Sequence, residues 1–229
     1  MRNHLLPGSR SALPALVLAV LTLAASAEPF DGLTLVNPLA SNTMRLITND
    51  GRTVNTWHCG KPVSYMPYLM PDSTVWRPGL HPAPQLRPGA CGGLIERYNW
   101  AGDVIQSFEW SGPDHIQHHD IQPLPNGNIL VLSLDRYTRA EAEAMGRLDI
   151  STDHIWSEMI VEYDPFADSV VWEWRLWDHL VQDVDSTKPN HGVIAEHPHR
   201  LDINAGMIHS TGDWIHANAI DYCAEEDLV

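Results

Sequence analysis

His118 to Ser133 reads HHDIQPLPNGNILVLS. Apolar and polar residues alternate up to Pro123, a turn signal follows at Pro125-Asn126-Gly127, and a second apolar run begins at Ile129. Asn-Gly between two such runs is a strong short-range hairpin signal. Just upstream, GLIERYNWAGDVIQSFEW (Gly93 to Trp110) has the same grammar: an alternating run, a turn at Trp100-Ala101-Gly102, and a second run closing on a Trp. Together they make about four short strands.

The pattern recurs. Met44 to Trp57 reads MRLITNDGRTVNTW, and Tyr68 to Trp76 follows as YLMPDSTVW. Glu158 to Trp174 reads EMIVEYDPFADSVVWEW, and Asp213 to Tyr222 follows as DWIHANAIDY. The repeats span about 44–76, 93–133 and 158–222. A four-stranded unit repeated at this scale reads as a β-propeller blade, which buries an apolar face only by stacking on its neighbour. The fold expected is all-β: an incomplete propeller of about three blades. Propellers typically close with four to eight. The chain is therefore read as the front part of a longer protein. A β-sandwich explains the alternation but not the recurring order of turn and Trp. Trp57, Trp110 and Trp174 are expected as anchors between blades. Two inserts break the pattern: 136–155, rich in helix formers from Thr138 to Met145, and 180–212, polar and rich in His and Asp.

The 229 residues carry a net charge of -15 and are 44% hydrophobic. That composition supports a sizeable core and excludes a disordered chain. The acidic balance argues against nucleic acid as a partner, because phosphate contacts need clustered Lys and Arg. Residues 1–27 read as a cleaved secretory signal: basic Arg2 and Arg10, an apolar run from Ala12 to Ala24, then Ala25-Ser26-Ala27. The run is shorter than the roughly 20 residues that span a bilayer. The expected location is periplasmic or secreted, with residues 28–229 forming the mature propeller and no membrane span after cleavage. Export permits disulfides. Cys59 with Cys91 is the favoured bridge, leaving Cys223 over. No cysteine has zinc-site spacing.

In a propeller, inner strands converge, so polar residues at one place in each repeat point at one site. The second repeat puts His115, His118, His119 and Asp120 there, the third Asp213, His216 and Asn218, the first Tyr65 and Tyr68. Histidine suits acid–base work and nucleophilic catalysis near neutral pH. Strict alternation would let only one of His118 and His119 face the site, and His119 is favoured. The structural alternative for His216 is a buried ring bonded to a backbone carbonyl. His197 and His199 read as a surface loop, with a metal at His-x-His as the weaker idea. No metal or cofactor is expected.

With HHDIQPLPNGNILVL, GLIERYNWAGDVIQSFEW and DWIHANAIDY in place, the chain resembles the bacterial arylsulfotransferases that need no nucleotide sulfate donor, from about Asp31 to Tyr222. The resemblance implies a six-bladed propeller in the periplasm. It implies transfer of a sulfuryl group from an aryl sulfate to a phenol, by ping-pong through a sulfated histidine. His119 and His216 match the family's catalytic channel histidines, and His118, Asp120 and Asn218 are expected to bind substrate. The family's nucleophilic histidine and sulfate-binding arginine lie downstream of the D-W-x-H-x-N motif, after the last residue here. A β-sandwich found before the propeller in some members looks absent or reduced. The rival readings are a non-catalytic secreted propeller that binds a ligand or protein, and a quinone-dependent propeller dehydrogenase. The latter would need clustered Arg, Lys and acidic metal ligands.

Overall fold

The computed structural model describes residues 29–229, and every strand lies in the compact unit Gly32–Val229. The expected signal, residues 1–27, lies outside the described residues. Among those described, no helix is long and apolar enough to cross a membrane.

The unit is built from antiparallel meanders. Strands β1 (Leu33–Val36), β2 (Thr43–Thr48) and β3 (Thr53–His58) form the first sheet, in that order. The second holds β4 (Tyr68–Leu69), β5 (Val75–Leu80), β6 (Gly93–Tyr98) and β7 (Val104–Glu109). The third holds β8 (His115–Pro123), β9 (Ile129–Thr138), β10 (His154–Asp164) and β11 (Ser169–Arg175). This is the all-β, incomplete propeller of about three blades. A small parallel pair, β12 (Leu180–Val181) and β13 (Leu201–Asp202), lies in the second insert.

The turns explain the regularity. In four hairpins a left-handed residue closes the loop: Gly51 (φ +81°), Ser73 (+67°), Gly102 (+96°) and Gly127 (+93°). Each donates its N–H three residues back, to Thr48, Met70, Asn99 and Leu124. This is a type I turn followed by an αL residue, a common three-residue hairpin connection. Glycine accepts that conformation at no steric cost.

The sheets are cut in a different phase from the sequence repeats. The first two repeats each join the last two strands of one sheet to the first two of the next: β2 and β3 go with β4 and β5 in the repeat 44–76, and β6 and β7 with β8 and β9 in the repeat 93–133. Alternation alone cannot distinguish a hairpin from a crossover between sheets. The partner of β5 is β6, not β3.

Two apolar layers hold the sheets together. Met44, Leu46, Trp57 and Cys59 from the first sheet side meet Val75 and Tyr98 of the second. Trp76, Ile95, Phe108 and Trp110 meet Ile121, Ile129, Val131, Met159, Val161 and Tyr163. Full burial of one such side chain stabilises by about 1.5–3 kcal/mol. Trp57 and Trp110 are buried, as an anchor requires. Trp110 also donates its Nε1–H to Ser133 Oγ at 2.9 Å. Trp174 departs from the expectation: it is only half-buried and stacks on His179, because β11 pairs on one side alone.

Two further expectations are corrected. Cys59, Cys91 and Cys223 are all free thiols. Cys59 packs between the first two sheets, whereas Cys91 packs against Ile116, Leu134 and Trp156, so the two thiols belong to separate layers. The insert 136–155 is helical only over α1 (Arg139–Ala144). β9 runs through Thr138, which caps the helix in a capping box with Glu141.

Candidate functional site

The site begins with a fault in β8. Register is regular to Gln117↔Ser133 and resumes at Ile121↔Val131. Between them Leu132 of β9 faces three residues, His118, His119 and Asp120. A bulge of this kind bends the strand and re-aims its side chains. Its cause lies on the other side of β8: Gly92 donates its N–H to the Gln117 carbonyl at 2.9 Å, Cys91 bridges His118, and His119 donates to the Ala90 carbonyl at 3.4 Å. His119 takes a left-handed backbone (φ +48°) as a result. Strained non-glycine backbone of this sort concentrates at functional sites. The expectation that only one of the two adjacent histidines reaches the site is therefore wrong. The bulge breaks the alternation, and both do.

Five side chains then form a chain of contacts. His118 Nε2 lies 3.0 Å from Glu158 Oε2, and His118 Nδ1 lies 3.0 Å from His119 Nδ1. His119 Nε2 lies 3.4 Å from His216 Nε2, and His216 Nδ1 lies 3.0 and 3.1 Å from the two Asp213 oxygens. Tyr65 lies against the His119 ring with centroids 4.4 Å apart. The chain has four links, and each link needs one hydrogen. Ionised carboxylates supply none, and three neutral imidazoles supply three. If Glu158 and Asp213 each accept from the nearest ring, and His119 donates to His118, then His119 Nε2 and His216 Nε2 face each other as two lone pairs. That gap is where a donor or a cation is wanted.

The third strand of the site is not a strand. Residues 213–222, expected as a strand of the third repeat, run without regular pairing beyond one parallel bridge, Trp156↔Asp213. Side-chain carboxylates hold the segment instead. Ala217 donates its N–H to Glu158 Oε1 at 2.8 Å, and Ile220 donates to Asp120 Oδ2 at 3.2 Å. Trp214 is buried and donates to the Ala205 carbonyl at 2.6 Å. Glu158 thus orients His118 with one oxygen and docks the His216 segment with the other.

Burial sets the electrostatics. The His118 side chain is fully buried, whereas that of His216 is 32% exposed, so the histidine cluster meets solvent on the His216 side. Burial, then the neighbouring His118 and His216 rings, push His119 down to about 4, so it is neutral at neutral pH. Burial pushes the Asp120 carboxyl up. It pushes the Tyr68 phenol well above its usual range, helped by the hydrogen bond that Tyr68 donates to Asp120 Oδ1 at 2.8 Å.

Of the expected residues, His118, His119 and His216 converge. Asp120 lies beside them, but both its oxygens serve the protein: Oδ1 accepts from Tyr68 and the Ile121 N–H, and Oδ2 accepts from Ile220. Asn218 is exposed and donates to the His216 carbonyl at 3.2 Å. His197 and His199 stay in the second insert, with ring centroids 6.1 Å apart. Glu158 was missed. Its signal was an acidic residue amid the apolar run IWSEMIV, where a charge has no reason to be buried without a partner. A groove of about 420 Å³ lined by Leu124, Trp172, Tyr222 and Val229 lies apart from the histidines. It brings together no comparable set of acid–base groups, so the chemistry points to the three-histidine cleft.

No curated protein matches the chain. Residues 92–229, more than half of the sequence, match the family described as Arylsulfotransferase (ASST). The match takes in the bulged strand, Glu158 and the His216 segment, so the chain belongs to the arylsulfotransferase family.

Proposed function

We propose that the three-histidine cleft binds aryl sulfates and phenols and moves a sulfuryl group between them. The observation that carries this reading is the facing pair, His119 Nε2 and His216 Nε2, at 3.4 Å. A phenolic O–H brought to that gap supplies the fourth hydrogen that the chain of contacts lacks. His119, being neutral, keeps its lone pair available. Asp213 orients His216 and balances the charge that the ring takes up.

The transfer runs in two halves through a sulfated histidine, which splits one difficult step into two. In the first, the donor S–O bond breaks as an N–S bond forms, and the released phenolate takes its proton from solvent, to which His216 returns the proton it gains in the second half. In the second, the acceptor phenol gives its proton to His216 as its oxygen forms a new S–O bond and the N–S bond breaks. The nitrogen that carries the sulfuryl group is assigned, by resemblance, to a histidine after residue 229. His118 and Asp120 act as positioning residues, and Asn218 as a donor at the rim. The chain is exported on this reading, so the mature protein begins at Glu28, which N-terminal sequencing checks.

The test is release of para-nitrophenolate from para-nitrophenyl sulfate with phenol as acceptor, in the full-length protein. His119→Ala and His216→Ala should each lower the rate by roughly 10²–10⁴-fold. Undiminished release in both would remove the cleft from the reaction. Binding of para-nitrophenyl sulfate without any release by the parent would favour the non-catalytic propeller.

A further inference from the structure

We propose that His118, His119 and His216 form a binding site for a divalent transition-metal ion of the zinc class. The inference rests on ligand geometry rather than on the sulfuryl reading, and an ion held there occupies the nitrogens proposed to meet the phenol, so ion and phenol are alternative occupants of the gap. Each of the three residues offers one ring nitrogen, and the three nitrogens lie within 4.8 Å of one another. The 3.0 Å approach is to His119 Nδ1 and the 3.4 Å approach to His119 Nε2, so with either nitrogen as the ligand one spacing is wider, within 4.8 Å. A tetrahedral ion with Zn–N bonds of about 2.0–2.1 Å spaces its ligand nitrogens about 3.3–3.4 Å apart. Admitting one closes the wider spacing by a side-chain rotation.

The rings are also angled as ligands are. The interplanar angles are 84° for His118 and His119, 85° for His119 and His216, and 68° for His118 and His216. Rings stacked face to face would keep their nitrogens from a common centre; these are not stacked. The two outer histidines are then fixed from behind. His118 has its Nε2 on Glu158, which leaves Nδ1 for the ion, and His216 has its Nδ1 on Asp213, which leaves Nε2. A carboxylate holding the far nitrogen of a ligating imidazole is the common outer support of histidine zinc sites. It fixes the tautomer and adds negative charge behind the ligand. His119 faces His118 with Nδ1 and His216 with Nε2, so it can present either nitrogen.

With the hydrogens placed as above, His119 Nε2 and His216 Nε2 meet as two lone pairs, and a cation between them turns repulsion into attraction. The partial exposure of His216 leaves a fourth position for water or an anionic oxygen, the open position of reactive rather than purely structural zinc sites. The sequence offers no metal-ligand spacing for this set, because His216 comes from a segment far along the chain from His119.

The test is to strip the full chain with a chelator and titrate it with Co²⁺, reading the visible d–d bands of four-coordinate cobalt, then to displace the cobalt with Zn²⁺. Saturation at one ion per chain, with displacement by zinc, is the expected result. Asp213→Asn, which keeps the shape but not the charge, should weaken binding about 10- to 100-fold. His216→Ala, a partly exposed position, should weaken it at least as much, with an unchanged circular dichroism spectrum. The double variant His197→Ala/His199→Ala should bind like the parent. A purely six-coordinate cobalt spectrum, a band unaffected by His216→Ala, or a band lost in the double variant would overturn the proposal. The cobalt spectrum of the unaltered chain decides by itself if the variants do not fold.

Discussion

The two ends of the β8–β9 hairpin obey different rules. At the turn, Leu124 and Asn128 close on each other with the N–H of Leu124 bonded to Asn128 and that of Gly127 bonded to Leu124. Every backbone partner lies within five residues, and the Asn126 and Asn128 side chains add a link to Glu162 of the neighbouring β10. At the other end, the same strand carries three residues opposite one, and its partners come from Ala90, Gly92, Glu158 and residues 213–220. The turn end is a local solution that the chain repeats in other hairpins. The bulged end is assembled from four separate stretches and occurs once. The difference shows where the fold stops being a repeat and becomes a site.

The widest break in that comparison is at the layer beneath both ends. Trp110→Ala removes a buried ring from the contact between the second and third sheets and leaves Ser133 without its donor. It should cost about 3–5 kcal/mol. Urea unfolding measures it, and a loss below 1 kcal/mol would mean that the sheets do not depend on that ring.

Glu158→Gln sharpens the comparison at the bulged end. The amide supplies a hydrogen to His118 Nε2, so the His118 and His119 tautomers can reverse while His216 keeps its Nδ1–H on Asp213, and the deficit of one hydrogen disappears. Stability should then shift by no more than about 1 kcal/mol. Transfer should nonetheless fall on the order of 10²-fold, because the lone pairs facing the gap are now used within the chain of contacts. Nitrogen-15 spectra of the imidazoles report the tautomers directly, and unchanged tautomers would sink this account.

His119→Gly separates strain from chemistry. The variant relieves the left-handed backbone and loses the packing against Tyr65, and these oppose each other. Stability should stay within about 1 kcal/mol of the parent while transfer is lost. A drop of several kcal/mol would show that the ring itself holds the bulge.

Gly127→Ala is the smallest. A Cβ there meets only Phe166 at an ordinary 3.7 Å, so the cost comes from φ alone. It should be about 1 kcal/mol, with transfer intact. Lost transfer would mean that the turn end reaches the site after all.

Much of the framework was legible. The turns at Asn49-Asp50-Gly51, Trp100-Ala101-Gly102 and Pro125-Asn126-Gly127 were readable because they need only their own residues. Trp57 and Trp110 were readable as anchors because a large ring closing an alternating run has few other uses. Trp174 was misjudged because burial depends on what packs over a strand, and sequence periodicity does not contain that. The cysteines were misjudged for the same kind of reason, since proximity in a Gly/Pro-rich stretch does not put two thiols in one layer. The site was half legible. His119, His118 and His216 were singled out by residue type and position, but Glu158 was passed over, and strict alternation left no room for His118 beside His119.

By itself the sequence determined an all-β chain of repeated hairpins with histidines near one end of an inner strand. Those are properties of short stretches, set by side-chain alternation and turn stereochemistry. The tertiary structure alone decided which strands share a sheet, that β8 bulges at His118–Asp120, and that Glu158 and Asp213 grip the two outer rings. These follow from hydrogen bonds between stretches far apart in the chain. A buried polar group must find a partner somewhere, and only the assembled fold determines which one.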